Sequence, residues 1–108
     1  MPYYLLQSAY TTEGWAALVR NPEDRTEAVR SVIEQLGGTV HGGWLAFGEY
    51  DTAFILEMPD NTQAAASSAA FAASGAIKDV KTTPLMTYEE GAEALRAAAD
   101  TTYRSPGG

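Results

Sequence analysis

The sequence predicts an α+β domain: one antiparallel sheet, helices packed on it, and one further helix at the carboxyl end. Three observations carry this. Runs rich in aromatic and β-branched residues recur at 2–10, 39–47, 52–58 and 77–86. Segments of helical period separate the first run from the second and the third from the fourth. Only Gly48-Glu49-Tyr50-Asp51 separates the second from the third, short enough for a hairpin.

The opening run is apolar at odd positions (Tyr3, Leu5, Ala9) and at even ones (Tyr4, Leu6, Tyr10). A strand apolar on both sides is expected to be covered on both sides. Thr11 and Thr12 open a short helical piece through Trp15, Leu18 and Val19. Asn21-Pro22-Glu23-Asp24 then reads as a restart, with Asn21 at the N-cap, Pro22 in the first helical position and two acids at the positive end of the dipole. Val29, Val32, Ile33 and Leu36 form the buried stripe of that helix, and Gly37-Gly38 ends it.

Strand 39–47 carries His41, placed on one face with Thr39, Gly43, Leu45 and Phe47 by strict alternation. Strand 52–58 puts Phe54, Leu56 and Met58 on one side and Ala53, Ile55 and Glu57 on the other. Asp60 with Gln63 signals the cap of an alanine-rich helix over 61–74, and Thr87 with Glu90 boxes a last helix over 88–99. Residues 1–100 are read as the domain and 101–108 as a flexible tail. The order is a ferredoxin-like βαββαβ with an extra C-terminal helix. It leaves one sheet face without helices, and a second copy packed sheet to sheet is the simplest cover.

The chain has 108 residues, 45% hydrophobic and 19% charged, enough for one modest core. Fourteen acidic against 7 basic residues give a net charge of −7, which argues against a nucleic-acid partner. Without cysteine there is no disulfide frame, thiolate metal site or cysteine nucleophile. No apolar run is long enough to span a bilayer, and the first residues lack a leader pattern. The expectation is a soluble cytoplasmic protein with no membrane or nucleic-acid partner and no cofactor.

Candidate chemistry is sparse. His41 is the single histidine; on a cavity-lining face it would be a general base or an axial haem ligand, and otherwise a strand histidine bonded to a neighbour or water. Glu57 is the one acid within an apolar run, and burial would raise its pKa. Tyr50 is a candidate phenolic donor at a pocket mouth, beside Asp51, which can hold the turn. Arg25 is a cation near a helix start, against local preference, and so a candidate partner for an anion or carboxylate. Trp15, Trp44, Tyr3, Tyr4 and Phe47 supply aromatic surface for an apolar pocket or for the core. Gly42-Gly43 inside a strand marks a bulge or a close approach, of a partner or a flat ligand.

Gly48-Glu49-Tyr50-Asp51 is similar to the signature of the GYD-domain family of small bacterial proteins, with one residue inserted between Gly and Tyr. YYLLQSAYTTEGW, NPEDRTEAV and LGGTV before it, EMPD after it, and the 75–83 stretch extend the resemblance over about residues 3–90. The resemblance implies the dimeric α+β barrel superfamily, in which two ferredoxin-like units pack sheet to sheet. That superfamily includes cofactor-independent monooxygenases, lactone isomerases, haem-degrading enzymes and stress-response domains, and no catalytic set transfers position by position. Three functions follow as expectations. The first is a homodimeric module holding a small apolar or aromatic ligand through Tyr3, Trp44, Phe47, Arg25 and Asp51. The second is a cofactor-independent monooxygenase or isomerase using His41, Tyr50 and Glu57 on a small aromatic or quinol-like substrate. The third is a purely structural oligomer.

Overall fold

A computed structural model describes residues 1–107. The elements are β1 (Tyr3–Tyr10), α1 (Thr12–Arg20), α2 (Thr26–Gln35), β2 (Thr39–Leu45), β3 (Thr52–Glu57), α3 (Asn61–Ala72), β4 (Ile77–Leu85) and α4 (Tyr88–Ala99). The strands form one antiparallel sheet in the order β2-β3-β1-β4, the ferredoxin-like arrangement. Pro84, which cannot donate to a ladder, lies in an edge strand where that loss is tolerated. Of the expected tail, 101–107 carry no helix or strand, and Gly108 lies outside the described residues.

The even positions of β1 point to the helices. Tyr4 and Leu6 join Phe54, Leu56 and Met58 from β3 and its end, Val40 from β2, Ile33 from α2 and Ala64 from α3 in one core. Each of the buried Leu, Ile, Val, Phe and Met side chains among them contributes roughly 1.5–3 kcal/mol of transfer free energy. The alanine-rich α3 fits because Ala64 and Ser67 let its backbone approach the sheet closely, with the Ser67 hydroxyl donating to the Ala64 carbonyl at 2.7 Å. The Tyr4 hydroxyl, at the core's edge, donates to Asn61 Oδ1.

Helix ends follow their local signals with one exception. Thr11 Oγ1 accepts the Gly14 amide at 3.0 Å, Asp60 Oδ1 accepts the Gln63 amide at 2.9 Å, and Thr87 and Glu90 form a reciprocal capping box. Gly37, at φ +83°, ends α2 while the Gly38 amide donates back to the Ile33 carbonyl at 2.9 Å. The exception is the start of α2, expected just after Asn21 and found at Thr26. Asn21 instead closes α1, its amide donating to the Ala17 carbonyl, and Asp24 Oδ1 takes the Thr26 amide at 2.9 Å. Residues 21–25 are therefore a connection between two helices, with Arg25 at the N-cap of the second.

The odd positions of β1, with Ala53, Ile55 and Glu57 of β3, form a sheet face that carries no helix. Helix α4 does not cover it. None of its residues is buried, Leu95 and Tyr88 are exposed, and the radius of gyration is 17.3 Å against about 13 Å for a compact chain of this length. The last helix projects from the sheet's β4 edge as an arm.

Candidate functional site

Two places gather chemistry, one on each side of the sheet. On the open face, His41 Nε2 lies 2.9 Å from Glu57 Oε1, and the Tyr3 ring tilts against the imidazole with centroids 5.2 Å apart. Register brings them together: Tyr3 opposes Glu57 on one side, and Thr39, two residues before His41, opposes it on the other. Strict alternation misplaced the companions of His41. The β2–β3 register shifts between Val40 and Gly42, so His41 is an extra residue, and the alternation beyond it inverts. Gly42 and Trp44 thereby follow His41 onto the open face, while Gly43 and Leu45 turn to the helix side; Phe47 lies beyond the strand's end and is almost fully exposed.

The glycine pair is explained by two rings of this chain. A Cβ on Gly42 would meet Trp44 Cη2 at 2.9 Å, and one on Gly43 would run into the ring of Phe54. Each glycine is the floor on which an aromatic ring lies, one on each face of the sheet.

With Glu57 ionised, His41 Nε2–H donates to it and the neutral ring presents Nδ1 as an acceptor. Such a pair can orient an imidazole as a base. Tyr50 is not part of it. It lies by Asp79, which pairs with Ala9, six residues along β1 from Tyr3 and so about 20 Å away. Desolvation first, then the negative charges of Asp79 and Glu49, push the Tyr50 phenol above its ordinary pKa. Asp51 anchors the hairpin: its Oδ2 accepts the Tyr10 amide at 2.9 Å, its amide donates to the Ser8 carbonyl at 2.8 Å, and its carbonyl accepts the Ala46 amide at 2.7 Å.

On the helix side lie hollows that meet at Tyr10 and Arg25. One of about 290 Å³ is lined by Trp15, Leu18, Pro22, Glu23, Asp24 and the β2 stretch from Gly43 to Leu45. A second of about 240 Å³ runs between α2, α3 and the sheet, lined by Val29, Val32, Phe71 and Ile77. Both also take Thr52 and Phe54 as walls. A third, of about 380 Å³, lies against α1 and again takes in Tyr10 and Arg25. Arg25 Nη1 donates to Glu23 Oε1 at 2.6 Å, with both side chains nearly half exposed. Tyr10 is buried, with the Trp15 ring edge-on to it at 5.1 Å. Burial raises its phenol pKa, the Arg25 charge lowers it, and Asp51 and Glu23 raise it further.

Of the residues expected to bind a ligand, Arg25 lines the helix-side hollow, the side chains of Tyr3 and Trp44 lie on the opposite face although the β2 stretch through Trp44 borders the hollow, and Asp51 and Phe47 lie in the β2–β3 connection. Tyr10, Thr52 and Phe54 were not singled out for the hollow. The signal available for them was polarity on a core-facing row: Ser8 and Thr52 oppose one another across β1 and β3, their hydroxyl oxygens 2.5 Å apart.

Among the described residues, no three His, Asp or Glu side chains gather as a metal site requires, and no helix is long and apolar enough to cross a membrane. No curated protein matches the chain. The family model described as the GYD domain matches residues 4–95, from β1 into α4, and the chain belongs to the GYD-domain family.

Proposed function

We propose that this protein is a homodimeric module that binds a small apolar or aromatic molecule in the hollow beside its sheet. The observation that carries the binding half is the pair of hollows of about 290 and 240 Å³, apolar-walled, meeting at one phenol and one guanidinium. Concave, mostly apolar sites with a few polar groups are what small-molecule binding uses. Packing side chains into a filled core, as a purely structural oligomer would, leaves no such space.

Support for the homodimer comes from what one chain leaves exposed. Tyr3, Trp44 and Leu85 are exposed on the open face or its margin, and no residue of α4 is buried. A 12-residue helix without packing is marginal in water even when well capped. A two-fold copy supplies an apolar sheet for the open face and a surface for the arm, and the two requirements are met at once. Ile55→Glu tests this, because it places a charge at the middle of the open face. Sedimentation velocity is expected to give two chains for the wild type and one for the variant. A wild type that sediments as one chain at all concentrations overturns the dimer.

A second reading, a cofactor-independent monooxygenase or isomerase, is favoured by the His41–Glu57 pair with Tyr3 beside it. In it Glu57 orients the ring and His41 Nδ1 accepts the proton of an acidic substrate. His41→Ala should then abolish turnover of a quinol or lactone that the wild type converts, and unchanged turnover removes histidine from the chemistry.

A further inference from the structure

We infer that the smaller helix-side hollow takes an aromatic carboxylate, its ring between α2, α3 and the sheet and its carboxylate on Arg25 and the Tyr10 hydroxyl. This rests on the small-molecule reading above and specifies the ligand's chemistry. Walls of Leu6, Val29, Val32, Phe54, Phe71 and Ile77 fix the apolar end. An apolar cavity of roughly 150 Å³ takes benzene, so about 240 Å³ takes a ring with a short substituent.

Charge fixes the other end. Arg25 is the one charged residue lining this hollow, whereas the larger one adds Glu23 and Asp24 beside the same arginine. On the larger side an anion lies against two carboxylates; on the smaller side none forms the wall, and the negative charges within reach are those of Glu23, held on Arg25, and Asp51, which both act on Tyr10. The remaining hydroxyls are already engaged: Ser8 and Thr52 bond to each other, and Ser74 donates to the Phe71 carbonyl at 2.7 Å. Tyr10 is different. It is 8% exposed, yet its hydroxyl has no hydrogen-bond partner among the described residues. Fully buried side-chain polar atoms are all satisfied here, so this hydroxyl is reached from the hollows it lines.

Glu23 already demonstrates the chemistry. Its carboxylate holds Arg25 Nη1 at 2.6 Å in an exposed pair, the weakly held kind that an incoming carboxylate can replace or share. A guanidinium has five donors, and one bond to Glu23 leaves several for a ligand.

The test is calorimetry on the full chain with phenylacetate, its uncharged shape-match phenylacetamide, and toluene. Phenylacetate is expected to bind about tenfold more tightly than phenylacetamide, because only the anion makes charge-assisted bonds. Arg25→Gln should bring the two affinities together, and Tyr10→Phe should weaken phenylacetate several-fold. Glu23→Gln should strengthen it by freeing the guanidinium. Equal affinities in the wild type, tighter binding of phenylacetamide or toluene, or a preference that survives Arg25→Gln overturns the carboxylate inference while leaving the small-molecule reading intact. If none of the three probes binds at millimolar concentration, both fall.

Discussion

The ring of Phe54 occupies the space that a side chain at position 43 would need. Gly43 and Phe54 are register partners on the helix side of the sheet, and a Cβ built on Gly43 falls within contact of Phe54 Cε1 and Cδ1. Phe54 is buried in the core, so moving its ring to make room disturbs the packing it takes part in. Gly43→Ala is therefore expected to cost about 1–3 kcal/mol, as overpacking does, lowering the thermal midpoint by at least about 5 °C at this chain length. Gly42→Ala meets the outer edge of Trp44, which is 61% exposed and free to shift, and should stay within about 0.5 kcal/mol of wild type. Thermal unfolding of both variants checks the contrast, and equal losses would contradict it.

The contrast also shows where sequence reasoning reached and where it stopped. The order of strands and helices was legible because each element carries its own period and its own stop signal, as at Gly37-Gly38 and Thr87–Glu90. The ends of all four strands and of α3 fall within two residues of expectation for the same reason. What could not be read was the face of Gly43, because one extra residue at His41 inverts the alternation beyond it, and a bulge is set by pairing across strands. The start of α2 was missed because Asn21 and Asp24 both favour caps, and tertiary context decided which residue capped which helix. His41 and Glu57 were each singled out on the sequence, and their pairing emerged only from the β2–β3 and β1–β3 registers. The hollow was invisible: its lining comes from five elements and the 21–25 connection.

Asp51, the last residue of the signature, holds the end of the β2–β3 hairpin against β1. Its carboxylate takes the Tyr10 amide where the β1–β4 register shifts between Ala9 and Tyr10. Asp51→Ala removes that acceptor and should destabilise the fold by about 1–3 kcal/mol, the cost of an unsatisfied buried donor. Asp51→Asn keeps an acceptor oxygen and should recover most of the loss. Denaturant midpoints measure both, and an Asp51→Ala variant as stable as wild type would contradict the anchoring role.

The arm formed by α4 gives a concentration-dependent observable. If a second copy covers it, amide hydrogens in 88–99 should exchange at near-coil rates in dilute protein and slow markedly as concentration rises through the dimerisation range. Amides of Leu6 and Leu56, inside the sheet, should be slow at both extremes. Hydrogen exchange followed by mass spectrometry separates the two regions. Fast exchange of the arm at every concentration would contradict its cover by a second copy.

Two exposed carboxylates at helix starts should titrate low. The Thr87 amide and hydroxyl hold Glu90 below its ordinary 4.5, and the Thr26 hydroxyl and amide hold Asp24 below 3.8. A depressed folded value means that the cap stabilises fully above the unfolded value and is lost as pH falls through the folded one. Helix content should thus decline below about pH 4, α4 fraying first because none of its residues is buried. Glu90→Gln keeps the box without a titrating group and should remove the pH dependence at α4. Carboxyl chemical shifts against pH give the midpoints; a Glu90 midpoint at or above 4.5 would contradict the capping geometry.

The most direct measurement is native mass spectrometry of the gently purified protein. A homodimeric module with an occupied hollow gives twice the 11.5 kDa chain mass plus the mass of a small organic molecule on each chain. A single chain with nothing added, across the accessible concentration range, would contradict both halves of that description.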